Sequence, residues 1–395
     1  MRHVRMRAAA VATAAAALIG AGQSPSWPSP AQVELVRARR AMLDPGRFVE
    51  SIDQREPLEV VPGSSSPRRL PAAKPSKARA TALAAALAYA AEQRSYALIV
   101  WRDGRVELEH YWAGHDAGTR SDTASMTKAV TALLVGAAVA DGHIGGVDDQ
   151  LGRYLPETRG TPRGALTLRA LLEMASGIET PPTSDDPASA YWQSALGDDL
   201  RASIARWPQP RQPFERFYYA NANTQYLGWV IEAATRQRYA AYLSRRLWAP
   251  LGAHEARVWL DRAGGSARTF CCLQARARDW LLIGRLIMDR GRIDGRQLVP
   301  GAWIDAMVAG SRRNPNFGWQ IWRGSPHNPA RSYGAGIPAV VPAAQPFARD
   351  DVYFLDGSGG QRVYAIPSAS TVVVRIGAPT RTWDDATLPN LLVER

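Results

Sequence analysis

The chain has 395 residues, of which 46% are hydrophobic and 21% charged, close to globular averages, so wholesale disorder is excluded. No apolar run reaches the ~18 residues that a spanning helix needs, and two adjacent cysteines, Cys271 and Cys272, supply neither a disulfide scaffold nor a cysteine-based zinc site. The net charge of +12 comes from arginines scattered along the chain, with no basic run and no interleaved aromatic platform, so no nucleic-acid partner is expected.

The first element reads as an export signal. Arg2, Arg5 and Arg7 precede an apolar stretch from Ala8 to Ala21, with small residues Gly20, Ala21 and Gly22 at its end. A signal peptide over 1–22 predicts a periplasmic or secreted protein with no stable membrane insertion after cleavage. No cysteine lies near it, which excludes a lipobox. Residues 23–78 read as an extension with a helix at Val33 to Met42 and a Pro/Ser-rich linker from Pro62 to Ser76.

From 79 to 395 the pattern is that of one α/β domain. Ala78 to Gln93 reads as a helix, and Ser95 to Trp101 and Arg105 to Trp112 as a hairpin around Asp103-Gly104. Ser125 to Ala140 is a helix apolar almost all round, hence buried and central. Helical patterns follow at Leu166 to Met174, Tyr226 to Thr235 and Ala275 to Met288. Strand-like segments come last: Phe317 to Trp322, Asp351 to Leu355, Gln361 to Ile366 and Thr371 to Ile376. Segments from about 79–120 and 255–395 are expected to build an antiparallel sheet, with a mostly helical region over about 121–254 inserted between them.

Lys74, Lys77 and Lys128 are the only lysines among 48 basic residues, so Lys128 stands alone in the domain. A chain that uses arginine for nearly every cation has a reason to keep one lysine. Arginine stays protonated in proteins, whereas a buried lysine can lose its proton and act as a base. Ser125 lies three residues before it, so hydroxyl and amine share a helix face. The helix N-terminus and apolar surroundings both favour the neutral amine there, and the same N-terminus favours an anion formed on attack.

Further along the chain come Val147-Asp148-Asp149, Leu171 to Ile178, Tyr219 to Glu232, Arg278-Asp279-Trp280, Phe317-Gly318-Trp319-Gln320 and Gly357 to Gln361. With Ser121 to Lys128 at their head, and in that order, these segments resemble the serine β-lactamase-like superfamily of class C β-lactamases, penicillin-binding proteins and family VIII esterases. Within it, the similarity is greatest to the 6-aminohexanoate-dimer hydrolase group. The resemblance implies a D,D-peptidase-like fold and acyl transfer from Ser125 with Lys128 as base. It makes Tyr219 of Tyr219-Ala220-Asn221 the partner that relays protons, a phenol that needs a nearby positive field to serve near neutrality. Asn221 would orient Lys128 or a substrate carbonyl. Ser358, Gly359 and Gly360 occupy the third motif, and the N–H of Ser358, with that of Gly360 or Gln361 as the alternatives, would join that of Ser125 in an oxyanion hole.

The family's third-motif lysine, which helps bind a substrate carboxylate, is missing here unless an arginine such as Arg362 replaces it. Esters, amides or short peptides without that carboxylate are therefore expected as substrates; a D,D-carboxypeptidase or class C-type β-lactamase is the alternative. A non-catalytic cell-wall peptide binding protein is a further one. The six histidines have no metal-site spacing, and no Gly-x-Ser-x-Gly elbow, Walker loop or dinucleotide fingerprint occurs, so no metal and no cofactor are expected. Cys271 and Cys272 are expected as buried thiols, and Trp192 or Trp319 as walls of an acyl pocket.

Overall fold

The computed structural model describes residues 27–43, 49 and 55–393, so the expected signal peptide lies outside the described residues. Asp103 and Gly104 both take positive φ (47° and 86°), the geometry of a tight two-residue turn, and they join strands Ser95–Arg102 and Arg105–Tyr111. These strands sit at one side of a six-stranded sheet. Next across it come Thr371–Gly377, Gln361–Ile366, Tyr353–Gly357 and Trp322–Arg323, each pair antiparallel.

Alternation along the strands assigns the two faces of this sheet. Leu98 and Val100 share a core with Leu83 and Ala86 of helix Lys77–Glu92 and with Leu388 of helix Thr387–Leu392. Ile99, Val363 and Val372 look the other way, into the main core with Leu281 of helix Ala277–Met288. Gly284 lets that helix lie flat on the sheet, because a Cβ there would come within 2.5 Å of Val372. A strand pair from early in the chain thus joins strands from its end.

The inserted region is mostly helical, as its pattern requires. Helix Thr127–Ala140 is buried from Thr127 to Ala138 and packs on helix Asn221–Thr235. Trp303 closes over it and donates from its indole to the Ala132 carbonyl at 3.1 Å. Gly136 leaves the room for that ring, since a Cβ would fall 2.5 Å from it.

Some expectations are redrawn. A second, four-stranded antiparallel sheet exists, in which Leu58–Val61 from the extension pairs with Ala256–Trp259, followed by Leu273–Arg276 and Arg120–Asp122. The Pro/Ser-rich stretch is tied along the domain by Ser64 N–H to the Ala253 carbonyl and Ala73 N–H to the Val106 carbonyl, each at 2.8 Å. Phe317 to Trp322 is not a strand through its length. Gln320 has φ +62° and Gly318 N–H bonds to the Ile321 carbonyl, a tight turn that leaves only Trp322–Arg323 in the sheet. Cys271 and Cys272 are bonded to each other rather than free: Cys272 takes φ +71°, which brings the two sulfurs to one side. Among the described residues no helix is long and apolar enough to cross a membrane.

Candidate active site

The site is built at the head of the central helix. Ala124 to Met126 form a short 3-10 turn that runs into the helix, and Ala124 is held at φ +51°, a strained conformation for a residue with a Cβ. Asp122 fixes it by accepting the Ala124 N–H at 2.7 Å, and Asp122 is itself buried in an ion pair with Arg55. Thr127 closes the turn with a bond from its hydroxyl to the Ala124 carbonyl at 3.0 Å. Ser125 is thereby presented, half-buried, at the edge of a cleft.

Lys128 lies one turn further, buried to 1% exposure. Its Nζ is 2.8 Å from Ser125 Oγ and donates to the Phe270 carbonyl at 2.8 Å. It also sits 4.9 Å from the centroid of the Tyr219 ring. Burial brings the amine down from its ordinary value near 10.5 to about 7, while the Asp356 carboxylate pulls the other way. Near neutrality a large share of the molecules therefore carries an uncharged amine beside the hydroxyl. A partly deprotonated lysine needs fewer acceptors than an ammonium, and the two contacts here suit it.

Tyr219 is held by its neighbours. Its N–H bonds to the Tyr333 carbonyl at 2.8 Å, and its ring stacks on Trp322 and meets Phe317 and Tyr333 edge-on. The phenol hydrogen-bonds to Ser125, and burial pushes it well above its ordinary value near 10, with Asp356 adding to the rise. The positive field expected to acidify this phenol is absent in effect: it stays a neutral O–H. As such it can donate a proton but not accept one. Asn221 begins the Asn221–Thr235 helix and lines the same cleft.

The opposite wall is the hairpin that joins strands Tyr353–Gly357 and Gln361–Ile366. Gly357 pairs with Gln361, and Gly359 and Gly360 take φ +79° and +86°. Gly357 carries the wall close to the serine turn: a Cβ there would meet the Thr123 carbonyl oxygen at 2.2 Å. The Gln361 side chain is buried and grips Gly377, donating to its carbonyl at 2.8 Å and accepting its N–H at 2.9 Å. Ser358 and Gly359 line the cleft with Ser125, whereas Gly360 lines a neighbouring cavity with Arg362 and Trp383. Six of the seven singled-out residues, all but Gly360, therefore come together.

The cleft has a volume of about 830 Å³ and is walled by Pro181, Pro182, Tyr191, Tyr218, Ile337 and Val341, besides the residues above. Among the described residues no lysine or arginine lines it. Arg362 does not replace the missing lysine. Its guanidinium is buried and paired with Asp356 and Asp385, with a further bond to the Gly357 carbonyl at 3.2 Å. Trp319 is packed against Trp303, with ring centroids 4.8 Å apart, and Trp192 lies under Arg40, so neither walls the cleft. Tyr191 takes that place. Sequence reasoning passed over Phe270, which acts through a carbonyl that any residue carries, and Tyr333 and Asp356. Asp356 had one signal: an acid directly before the glycine-rich turn.

The family model named Beta-lactamase matches residues 81–377. The chain belongs to the beta-lactamase family. It is 29% identical over 231 residues to the 6-aminohexanoate-dimer hydrolase of Paenarthrobacter ureafaciens, covering 55% of this chain and 58% of that protein. It is also 27% identical over 165 residues to Protein flp of Staphylococcus aureus (strain COL), covering 39% of this chain and 32% of flp. The chain thus matches less than two thirds of the length of either relative. Among solved structures, a candidate 6-aminohexanoate-dimer hydrolase from Bacillus anthracis superposes with a TM-score of 0.69 at 19% identity, over 85% of this chain and 89% of that one. A penicillin-binding protein homologue from Caulobacter crescentus gives 0.61 at 15% identity, over 82% and 97%. Identities this low speak to the fold, and the fold is that of the β-lactamases and penicillin-binding proteins.

Proposed function

We propose that the protein is an exported serine hydrolase that cleaves esters or amides through an acyl-enzyme. The observation that carries this reading is the buried Lys128 amine, brought down to about 7 and set 2.8 Å from Ser125 Oγ. As Ser125 Oγ attacks the carbonyl carbon, its proton passes to the neutral Lys128 amine and the carbonyl electron pair moves onto oxygen. The N–H of Ser125 and one from Ser358 or Gly359 hold that oxyanion. Collapse of the intermediate expels the alcohol or amine, which takes the Tyr219 phenol proton. Tyr219 recovers a proton from the Lys128 ammonium, which lies against its ring. Water then attacks the acyl carbon and gives its proton to the neutral Lys128 amine, and collapse of that intermediate releases the acid as the Lys128 ammonium returns the proton to Ser125 Oγ. Asn221, on the cleft wall, supports a role in holding the substrate carbonyl.

A cleft lined, among the described residues, by no lysine or arginine supports substrates that lack an anchoring carboxylate. Linear amides are included because the name of the Paenarthrobacter relative specifies an amide-linked dimer, one that itself keeps a free carboxylate. A panel of p-nitrophenyl esters, short linear amides, D-amino peptides and nitrocefin tests the reading, with Ser125→Ala as control. Turnover of esters or amides that disappears in Ser125→Ala is the expected result. Muropeptide binding with no turnover of any of the four would establish the binding role instead. Export is tested by the N-terminus of the protein recovered from the producing cell: a start near residue 23 fits the signal reading, and an intact Met1 in the cytoplasm refutes it.

A further inference from the structure

The wall facing Ser125 contains a charged cluster that the acyl-transfer scheme does not use. Arg331 pairs with Asp356 at 3.0 Å and with Asp385 at 2.8 Å, and Arg362 pairs with the same two carboxylates. All four side chains are buried. Only Asp356 reaches the cleft that holds Ser125, where Tyr333 donates its hydroxyl to Asp356 Oδ2 at 2.6 Å. A buried charge is costly unless it is paired and hydrogen-bonded, and this one has two guanidinium groups and a phenol. That expense is not needed to close the hairpin, which Gln361 already ties to Gly377.

We propose that Asp356 is a positioning residue whose carboxylate, held by Arg331, Arg362 and Tyr333, sets the proton affinity of the Lys128–Tyr219 pair. The inference rests on Lys128 being the base for Ser125. Two features of geometry carry it. Gly357, next in the chain, abuts the Thr123 carbonyl two residues before the serine, so the carboxylate is fixed relative to the Ser125 turn. Tyr333, which bonds the carboxylate, also accepts the Tyr219 N–H and packs edge-on against its ring at 5.2 Å. One carboxylate therefore acts on both partners, and around the buried Lys128 amine Coulomb interactions are strong. Its negative charge opposes the effect of burial on Lys128 and adds to that on Tyr219. Without it, the amine would be a weaker base towards the serine proton. Among the described residues, the other ionisable groups about the site are Arg331, Arg362, Asp385 and Tyr333 in the cluster, and Glu179, Tyr191 and Tyr218 on the cleft wall.

The test is the pH dependence of the rate at which a fluorophosphonate probe modifies the full-length protein. Asp356→Asn leaves the two arginines facing a single carboxylate, so the acid limb should move to lower pH by about one unit. Tyr333→Phe keeps the carboxylate and removes the dipole that partly offsets it, so the limb should move the other way, by a few tenths of a unit. Shifts of opposite sign are not produced by a merely structural role, which would lower the rate at every pH. Labelled Asp356→Asn protein with an unmoved limb overturns the proposal. Should that variant not fold by circular dichroism, an unmoved or downward limb in Tyr333→Phe overturns it. Wild-type protein that is not modified at Ser125 removes the hydrolase reading itself, and the positioning role falls with it; a modified Ser125 with unmoved limbs removes only the latter.

Discussion

Two kinds of buried cation stand on opposite sides of the cleft. Lys128 and Arg362 each have 1% of their surface exposed. Yet burial carries Lys128 down to about 7, while Asp356 and Asp385 hold Arg362 above its ordinary value. The difference lies in partners. Lys128 has a hydroxyl and a carbonyl within reach, neither of them charged. Arg362 has two carboxylates. The same desolvation thus yields a base on one wall and a permanent charge on the other. What separates a base from a fixed charge here is the side chain's own chemistry together with the charge placed next to it, rather than depth.

The most drastic way to break this contrast is to remove the nucleophile. Ser125→Ala should lower ester or amide turnover by about 10³-fold or more, measured against the same substrate. Close behind comes Lys128→Arg, which puts a permanent charge where a titrating one stood. Guanidinium does not give up its proton, so turnover should fall by about 10²–10⁴-fold between pH 6 and 9. Tyr219→Phe keeps the base and removes the donor to the leaving group. A loss of about 10²-fold is expected, with the acid limb of the profile still near 7.

Two smaller effects sharpen the comparison. The Lys128 value is depressed in the folded state, so the unfolded chain binds the extra proton between about 7 and its ordinary value near 10.5. Stability at this group is therefore lowest below pH 7 and recovers as pH rises through that window. Lys128→Met should consequently raise the melting temperature by several degrees at pH 6, and much less at pH 10. An equal rise at both would show that the amine is not held uncharged. Last, Gly357→Ala pushes a methyl towards the Thr123 carbonyl, and should cost about tenfold in turnover by tilting the serine turn away from the hairpin.

Much of the architecture could be read before any coordinates. Asp103-Gly104 announces its hairpin because few residue pairs accept two positive φ values in succession. The central helix announces itself through apolar residues on every face. Lys128 stood out because it is the one lysine of the domain, and rarity in an arginine-rich chain marks chemistry rather than solvation. Other features left no such mark. Leu58–Val61 is four residues long, and nothing local says that it will pair with Ala256–Trp259, some 200 residues away. Phe317 to Trp322 carries a strand-like composition, but Gly318 and Gln320 serve a turn packed under Met307. Gln320 spans to the Leu171 and Leu172 carbonyls at 2.9 Å, a tertiary demand that outweighs propensity. The charged cluster was invisible because Arg331, Asp356, Arg362 and Asp385 are spread along the chain and become neighbours only when the late strands assemble. For the same reason the sequence alone leaves open whether Arg362 replaces the missing lysine, and its two carboxylate partners close that question.

The central claim is that an uncharged Lys128 activates Ser125. Incubating the full-length protein with a fluorophosphonate probe across pH 5–9, and mapping the adduct by peptide mass spectrometry, examines it most directly. One adduct is expected, on the peptide carrying Ser125, forming at a rate that rises through a single ionisation near 7. An adduct on any other residue, or none on folded protein at pH 8, would contradict it.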